Sequence, residues 1–186
     1  MNTNKGKVTR ERIIECAARL FITNGYNNTG LNEILKELDL PKGSFYYQFK
    51  TKKELAIAVA EYYKQDLGAW LMETAKNRNW TNFVDIFMNQ IISNAKKSEY
   101  FGCPFGVLGS ELAFLEPQLA ENFLSPMNGL INLFADVLKF SGMPIDKIEE
   151  ESNKALALFE GYILYYRVSK EISVLERLKK QLKEII

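Results

Sequence analysis

Apolar residues recur at intervals of three and four along nearly the whole chain, and strand-like alternation is missing. That single pattern excludes sheets and predicts an all-α protein. The breaks in the pattern divide it into helices. A first helix is expected from about Thr9, a plausible N-cap, through Ile13, Ile14, Ala17, Ala18, Leu20 and Phe21. It should stop near Asn24 and Gly25, which supply a C-terminal signal. A short helix follows with Leu31, Ile34, Leu35 and Leu38 on one face, Gly30 as cap and Glu33 reaching back in a partial capping box. "DLPKG" interrupts, leaving room for about two turns over residues 42–49. "TKKE" (Thr51 to Glu54) is a capping box that opens a long helix to about Ala75. Further helices are expected near 80–97, 104–114, 117–140, 146–168 and 171–185, separated by "KNRNW", "FGCP", "LEP" and "SGMP". The architecture implied is a three-helix N-terminal head joined to a larger C-terminal helical bundle, with the division at 1–53 and 54–186.

Charge is uneven across that division. Residues 1–53 carry ten Lys/Arg against five Asp/Glu, and residues 54–186 carry fourteen against eighteen. A basic head on an acidic body points to an anionic partner at one end. Histidine is absent, which excludes histidine triads, histidine general bases and the usual zinc and iron sites. The expectation is therefore a binding protein, not an enzyme, with no cofactor and no metal. The run "DKIEEE" (Asp146 to Glu151) reads as a solvated helix start and not as catalytic carboxylates. The polar opening "MNTNKGKVTRER" is unlike the apolar core of a secretory signal, and no stretch approaches the roughly 18 apolar residues of a membrane span. The expected location is the cytoplasm, with no membrane partner.

The stretch "LPKGSFYYQFKTKKEL" is the most informative. Phe45 and Phe49, four apart, share a helix face and can pack on Ile34, Leu35 and Leu38. Lys42, Gly43, Ser44, Tyr46, Tyr47 and Gln48 are then left around the outward arc, with Tyr46 half buried because it lies about 60° from Phe49. Two helices joined by a short turn, the second short and exposed, describe a helix-turn-helix. A bare Gly43 lets a backbone approach base edges, Ser44 and Gln48 can hydrogen-bond, and the tyrosines carry hydroxyls on rigid stems. Lys42 and Lys52 bracket the helix with positive charge. Taken as a set, these residues point to double-stranded DNA. A dimeric module that binds protein instead is the competing reading, and salt dependence separates the two.

The whole of "TRERIIECAARLFITNGYNNTGLNEILKELDLPKGSFYYQFKTKKEL" resembles the DNA-binding domain of TetR-family transcriptional repressors. That resemblance implies a homodimer on a palindromic operator, released by a small molecule whose binding shifts the fourth helix. By position it places DNA contacts at Lys42, Gly43, Ser44, Tyr46, Tyr47 and Lys52, with Thr29 and Asn32 from the preceding helix. Gln48 stands where the family often has histidine, and Gly30 where it often has Ser or Thr.

The last two helices are the candidates for dimerisation. Leu156, Phe159, Ile163 and Tyr166 repeat along one, and Leu175, Leu178, Leu182 and Ile185 along the other. The periodicity alone fits an ordinary core face equally well; the resemblance implies a four-helix bundle across the dimer. An effector pocket is expected among the aromatic residues of helices four to seven: Trp70, Phe83, Phe87, Phe101, Phe105, Phe114 and Phe123. Cys103, before Pro104 in "EYFGCPFGVLGSEL", would sit at the positive end of a helix, where a thiolate is favoured. This stretch is similar to the NemR-like, electrophile-sensing branch of the family, which would make Cys103 a thiol sensor. A small buried hydrophobe is the plainer reading of the same residue. Cys16 lies among core-face neighbours.

Overall fold

The computed structural model describes residues 2–186, and the described residues form nine α-helices and no strand. They are α1 (Asn2–Asn24), α2 (Leu31–Glu37), α3 (Lys42–Gln48), α4 (Lys52–Ala75), α5 (Trp80–Lys96), α6 (Pro104–Leu112), α7 (Pro117–Phe140), α8 (Ile145–Ser169) and α9 (Ile172–Lys183). The expected ends of α3 to α9 hold to within one or two residues, because each is fixed by local chemistry. Thr51 caps α4, accepting from the Glu54 amide at 3.1 Å, while the Glu54 carboxylate takes the Lys50 amide at 2.7 Å. Asn79 caps α5 in the same way through the Asn82 amide. Pro104 and Pro117 open α6 and α7, where a missing N–H costs nothing.

Two expectations at the amino end are corrected. The first helix starts at Asn2, not near Thr9, because a tertiary bond supports its early turns: Gln48 Nε2 donates to the Gly6 carbonyl at 3.1 Å. Glu33 does not complete a capping box on α2. Its carboxylate accepts from Asn24 Nδ2 at 3.2 Å instead, joining α2 to the end of α1.

The head core gathers Ile13, Ala17 and Phe21 of α1, Ile34 and Leu35 of α2, Phe45 and Phe49 around α3, and Leu55 and Val59 of α4. Helix α4 runs unbroken from this core into the body. There Tyr63 donates its hydroxyl to the Ala18 carbonyl at 2.9 Å. In the body, Trp80, Phe83, Phe87 and Phe134 form an aromatic stack, with Phe83 and Phe87 nearly parallel at 5.5 Å. Trp80 Nε1 donates to the Leu182 carbonyl at 2.6 Å, and Asp85 pairs with Lys179 and Lys183. These contacts fold α9 onto α5 of the same chain.

That packing overturns the expected dimer face. Phe159, Ile163, Tyr166, Leu175, Leu178 and Leu182 are all buried within the protomer, and Leu156 and Ile185 are half-buried against the same core. Their periodicity marks the core side of α8 and α9. The outer side of α9 is polar, with Glu176, Arg177, Lys180 and Gln181 exposed. The outer side of α8 is apolar: Leu164, Tyr165 and Val168 are 64%, 52% and 79% exposed.

Candidate functional site

Helix α2 ends in a four-residue turn, Leu38 to Pro41, and Asp39 takes the left-handed conformation that reverses the chain (φ 52°). Amides within the turn are satisfied locally, Leu40 N–H donating to the Leu35 carbonyl at 2.9 Å. Arg12 braces the turn from α1 through the Leu38 carbonyl at 3.3 Å, and Arg19 pairs with Glu37 at the end of α2. Helix α3 rests on Phe45 and Phe49, both fully or nearly buried with ring centroids 5.7 Å apart, and the Arg10 guanidinium covers the Phe49 ring at 4.7 Å. Arg10 thereby holds α3 by a cation–π contact.

With those two rings inward, the rest of α3 faces out except Gln48, which was expected on the outward arc but turns to the Gly6 carbonyl of α1. Lys42 and Gly43 are exposed, Ser44 is half-buried, and Tyr46 and Tyr47 are 61% and 82% exposed. Tyr46 is more open than expected: it lays its edge against Phe45 at 5.4 Å without entering the core. Asn32, Lys42 and Tyr46 line one cleft of about 280 Å³ between α2 and α3. Tyr47 lies on the opposite flank, next to Gly6 of α1. An added Cβ at Gly43 would touch nothing, so the fold itself has no need of glycine there.

Two expected contact residues are differently employed. Thr29 is fully buried, and its hydroxyl donates to the Gly25 carbonyl at 2.8 Å, so its side chain closes the α1–α2 turn and is not on the outer surface. Lys52 turns inward: its ammonium donates to the Tyr26 carbonyl and sits 4.3 Å from the Tyr26 ring centroid. Desolvation lowers its pKa, with Glu111 pulling partly the other way. Lys52 fastens α4 to the head. The exposed lysines near α3 are Lys42, Lys50 and Lys53.

Sequence reasoning missed the groups that tie the head to the body. Glu111, on α6, accepts from the backbone amides of Tyr26 and Asn27 at 2.9 and 2.8 Å. Its carboxylate occupies the space beside Gly25, whose φ of +91° already favours glycine. Lys53 adds an ion pair to Glu116 at 2.8 Å, just before α7. No local signal announces contacts between residues more than sixty positions apart.

The same short helix forms part of a body cavity of about 490 Å³. Tyr63, Leu67 and Trp70 of α4, Phe87 of α5, Tyr100, Phe101, and Cys103 to Phe105 line it, together with Phe159 of α8. Trp70, Phe87, Phe101 and Phe105 thus stand where the sequence placed an effector pocket. Phe83 and Phe123 are core, and Phe114 is fully outward.

Cys103 is the N-cap residue of α6, as its place before Pro104 implies, and it borders this cavity. Its expected thiolate is not what the surroundings favour. Burial pushes the thiol well above its ordinary range and the neighbouring Glu160 carboxylate pushes it further, outweighing the amides of Gly106 and Phe105. A buried, protonated thiol is a poor nucleophile. Cys16 is likewise buried, with its pKa raised first by desolvation.

Comparison with known proteins agrees with this geometry. The sequence model described as "Bacterial regulatory proteins, tetR family" matches residues 13–59. The HTH-type transcriptional regulator LmrA of Bacillus subtilis is 32% identical over 162 residues, covering 84% of this chain and 85% of LmrA. The HTH-type transcriptional repressor NemR of Escherichia coli is 24% identical over 198 residues, covering 100% of this chain and 98% of NemR. The crystal structure of reduced E. coli NemR superposes with a TM-score of 0.86 at 23% identity, covering 96% of each chain.

Proposed function

The chain belongs to the TetR family of DNA-binding transcriptional regulators, and from that premise we propose that it is a homodimeric repressor of a palindromic operator, released by a small molecule. The observation that carries the reading is the outward face of α3. Two buried phenylalanines use up the helix's packing, yet two tyrosines stand open to solvent beside Lys42 and a glycine that the fold does not require. Large exposed aromatics on a basic surface need a partner, and phosphates and base edges supply one. Asn32, Lys42, Gly43, Ser44, Tyr46 and Tyr47 form the proposed contact surface. Residues 1–53 act as the reading head and 54–186 as the sensing and pairing body, in the cytoplasm, where such a regulator meets its DNA. Among the described residues, no helix is long and apolar enough to cross a membrane.

A two-fold operator needs two heads about one helical turn apart. The outer stripe of α8 suits the pairing: Ala157, Gly161, Leu164, Tyr165 and Val168 lie along one exposed side. An added Cβ at Gly161 meets nothing within the protomer, so a partner helix can approach closely there. Release follows from the wiring of α6. Its first turn lines the cavity and its last turn holds the head by Glu111, so a ligand that displaces Phe105 also moves the Tyr26–Asn27 turn. A coupling of about 1–3 kcal/mol is enough for such a switch.

The test is a titration of the purified protein on the DNA upstream of its own gene, against a scrambled duplex, at two salt concentrations. Specific binding whose log affinity falls steeply with log salt is expected. Binding that is indifferent to sequence and salt would refute the reading and favour a head that recognises protein.

A further inference from the structure

The charges around the body cavity select among the ligands its size admits. Its walls carry Asp66 and Glu99 and no lysine or arginine, although Lys/Arg and Asp/Glu are almost equally abundant in the chain, 24 against 23. Asp66 lies four residues before Trp70 on α4, so the carboxylate and the indole share a helix face one turn apart. Trp70 faces Phe87 across 5.8 Å with a tilt of 31°. Tyr100 and Phe105 come from the segment on either side of Cys103. Behind the Cys103 thiol, outside the lining of this cavity, stands Glu160, whose Oε1 is buried without a hydrogen-bond partner among the described residues. Arg167 lies behind the same wall, its guanidinium donating to the Phe101 carbonyl; it and Glu160 both line the neighbouring cavity, so neither counts toward the charge of this one.

Rings alone would accept any apolar molecule. Rings with carboxylates and no bases distinguish by charge: the aromatic quadrupole and the acidic groups both attract a cation and both repel an anion. We propose that this cavity is a binding site for a lipophilic organic monocation, its apolar body against Trp70, Phe87 and Phe105 and its charge toward Asp66 and Glu99. This inference rests on the effector reading above for its regulatory meaning, but its binding chemistry is independent of DNA.

Tetraphenylphosphonium and tetraphenylborate have the same shape and opposite charge, and they make the test direct. Each is titrated into the full-length protein by calorimetry. The phosphonium should bind at least about tenfold more tightly than the borate, a difference that one favourable charge contact readily supplies. The double variant Asp66→Asn/Glu99→Gln should cut that preference by about threefold or more at an unchanged melting temperature, the rings keeping the remainder, and Trp70→Ala should weaken the phosphonium. Equal or tighter binding of the borate would overturn the proposal. So would a preference that the double substitution leaves unchanged, since the two carboxylates would then read no charge. A phosphonium that binds with the expected preference yet leaves the protein on its DNA upholds the site and counts against the release mechanism. Release by a neutral compound, with no charge preference in the cavity, upholds the mechanism and overturns the ligand class.

Discussion

Helices α3 and α6 are built from nearly the same materials and are used in opposite ways. Each is short, each follows or begins with a proline, and each contains glycine, serine and phenylalanine: "KGSFYYQ" and "PFGVLGSEL". In α3 only Phe45 is buried, and the helix shows its long side chains to solvent. In α6 Pro104, Phe105, Leu108 and Leu112 are buried, and only Ser110 is exposed. The difference lies in what surrounds them. Lysines flank α3, whereas α6 is wedged between α1 and α7, with the Glu160 carboxylate of α8 beside Gly106 and a cavity at its first turn. One leaves its large side chains in solvent, and the other encloses them.

Truncating an anchor in each helix should have the largest effect. Phe45→Ala and Leu108→Ala should each cost about 3–5 kcal/mol, because both sites are fully buried and leave cavities. Urea denaturation measures the loss. If Phe45→Ala cost less than about 1 kcal/mol, the view of α3 as a helix pinned by two rings would be wrong.

Outer positions should separate the helices more sharply. Tyr47→Ala removes a ring that is 82% exposed, so the melting temperature should stay within about 1 °C. Operator affinity should fall about tenfold or more, as for an interface aromatic. Unchanged affinity would take Tyr47 out of the contact surface.

The same glycine-to-alanine change tests both helices at once. At Gly43 the new methyl meets nothing, and alanine is the better helix former, so stability should rise by about 0.5–1 kcal/mol. Affinity for DNA should nevertheless drop, because the methyl occupies space the partner needs. At Gly106 the methyl would fall on the Glu160 carboxylate, which must swing away from Cys103. Gly106→Ala should lower stability despite the better propensity. Paired thermal melts and binding titrations give both signs.

What the sequence made legible follows the range of the interaction that decides it. Helix ends set by Thr51, Asn79, Pro104 and Pro117 were readable because a cap is decided within four residues. The start of α1 was not, since the bond from Gln48 to Gly6 spans 42 positions. The outward positions of Lys42, Gly43 and Tyr47 followed from Phe45 and Phe49 alone, while Gln48 turned to α1 and Tyr46 stood more open than its angle implied. Lys52 and Thr29 did not, because Tyr26 and Gly25 draw them inward. Along "YILYYRV" in α8 almost every residue is apolar, so periodicity located Ile163 and Tyr166 without saying which side meets the core. The three-dimensional packing gives that side to the protomer and leaves Leu164, Tyr165 and Val168 outside. Cys103 was placed correctly at a helix N-terminus, but its charge state depends on Glu160, 57 positions away in the sequence, and on burial that no local pattern records.

Glu160 sharpens the comparison last, since α6 leans on a buried carboxylate and α3 on none. Burial raises the Glu160 pKa above the ordinary carboxylate value, and the hydrogen bond from Cys103 offsets part of that rise. The sign follows from linkage. Below the unfolded value of about 4.3 the carboxyl is protonated in both states and costs nothing. As pH rises through the higher folded pKa, the folded state must ionise a group deprived of water, and stability is lost. Glu160→Gln removes that ionisation. The variant should therefore melt at a higher temperature than the parent at pH 7. The advantage should shrink toward zero as the pH is lowered to 4. A difference that stays constant with pH would assign the gain to packing and not to charge. A lower melting temperature at pH 7 would mean that the ionised carboxylate is compensated in solution, as contact with a partner subunit or a bound cation would achieve.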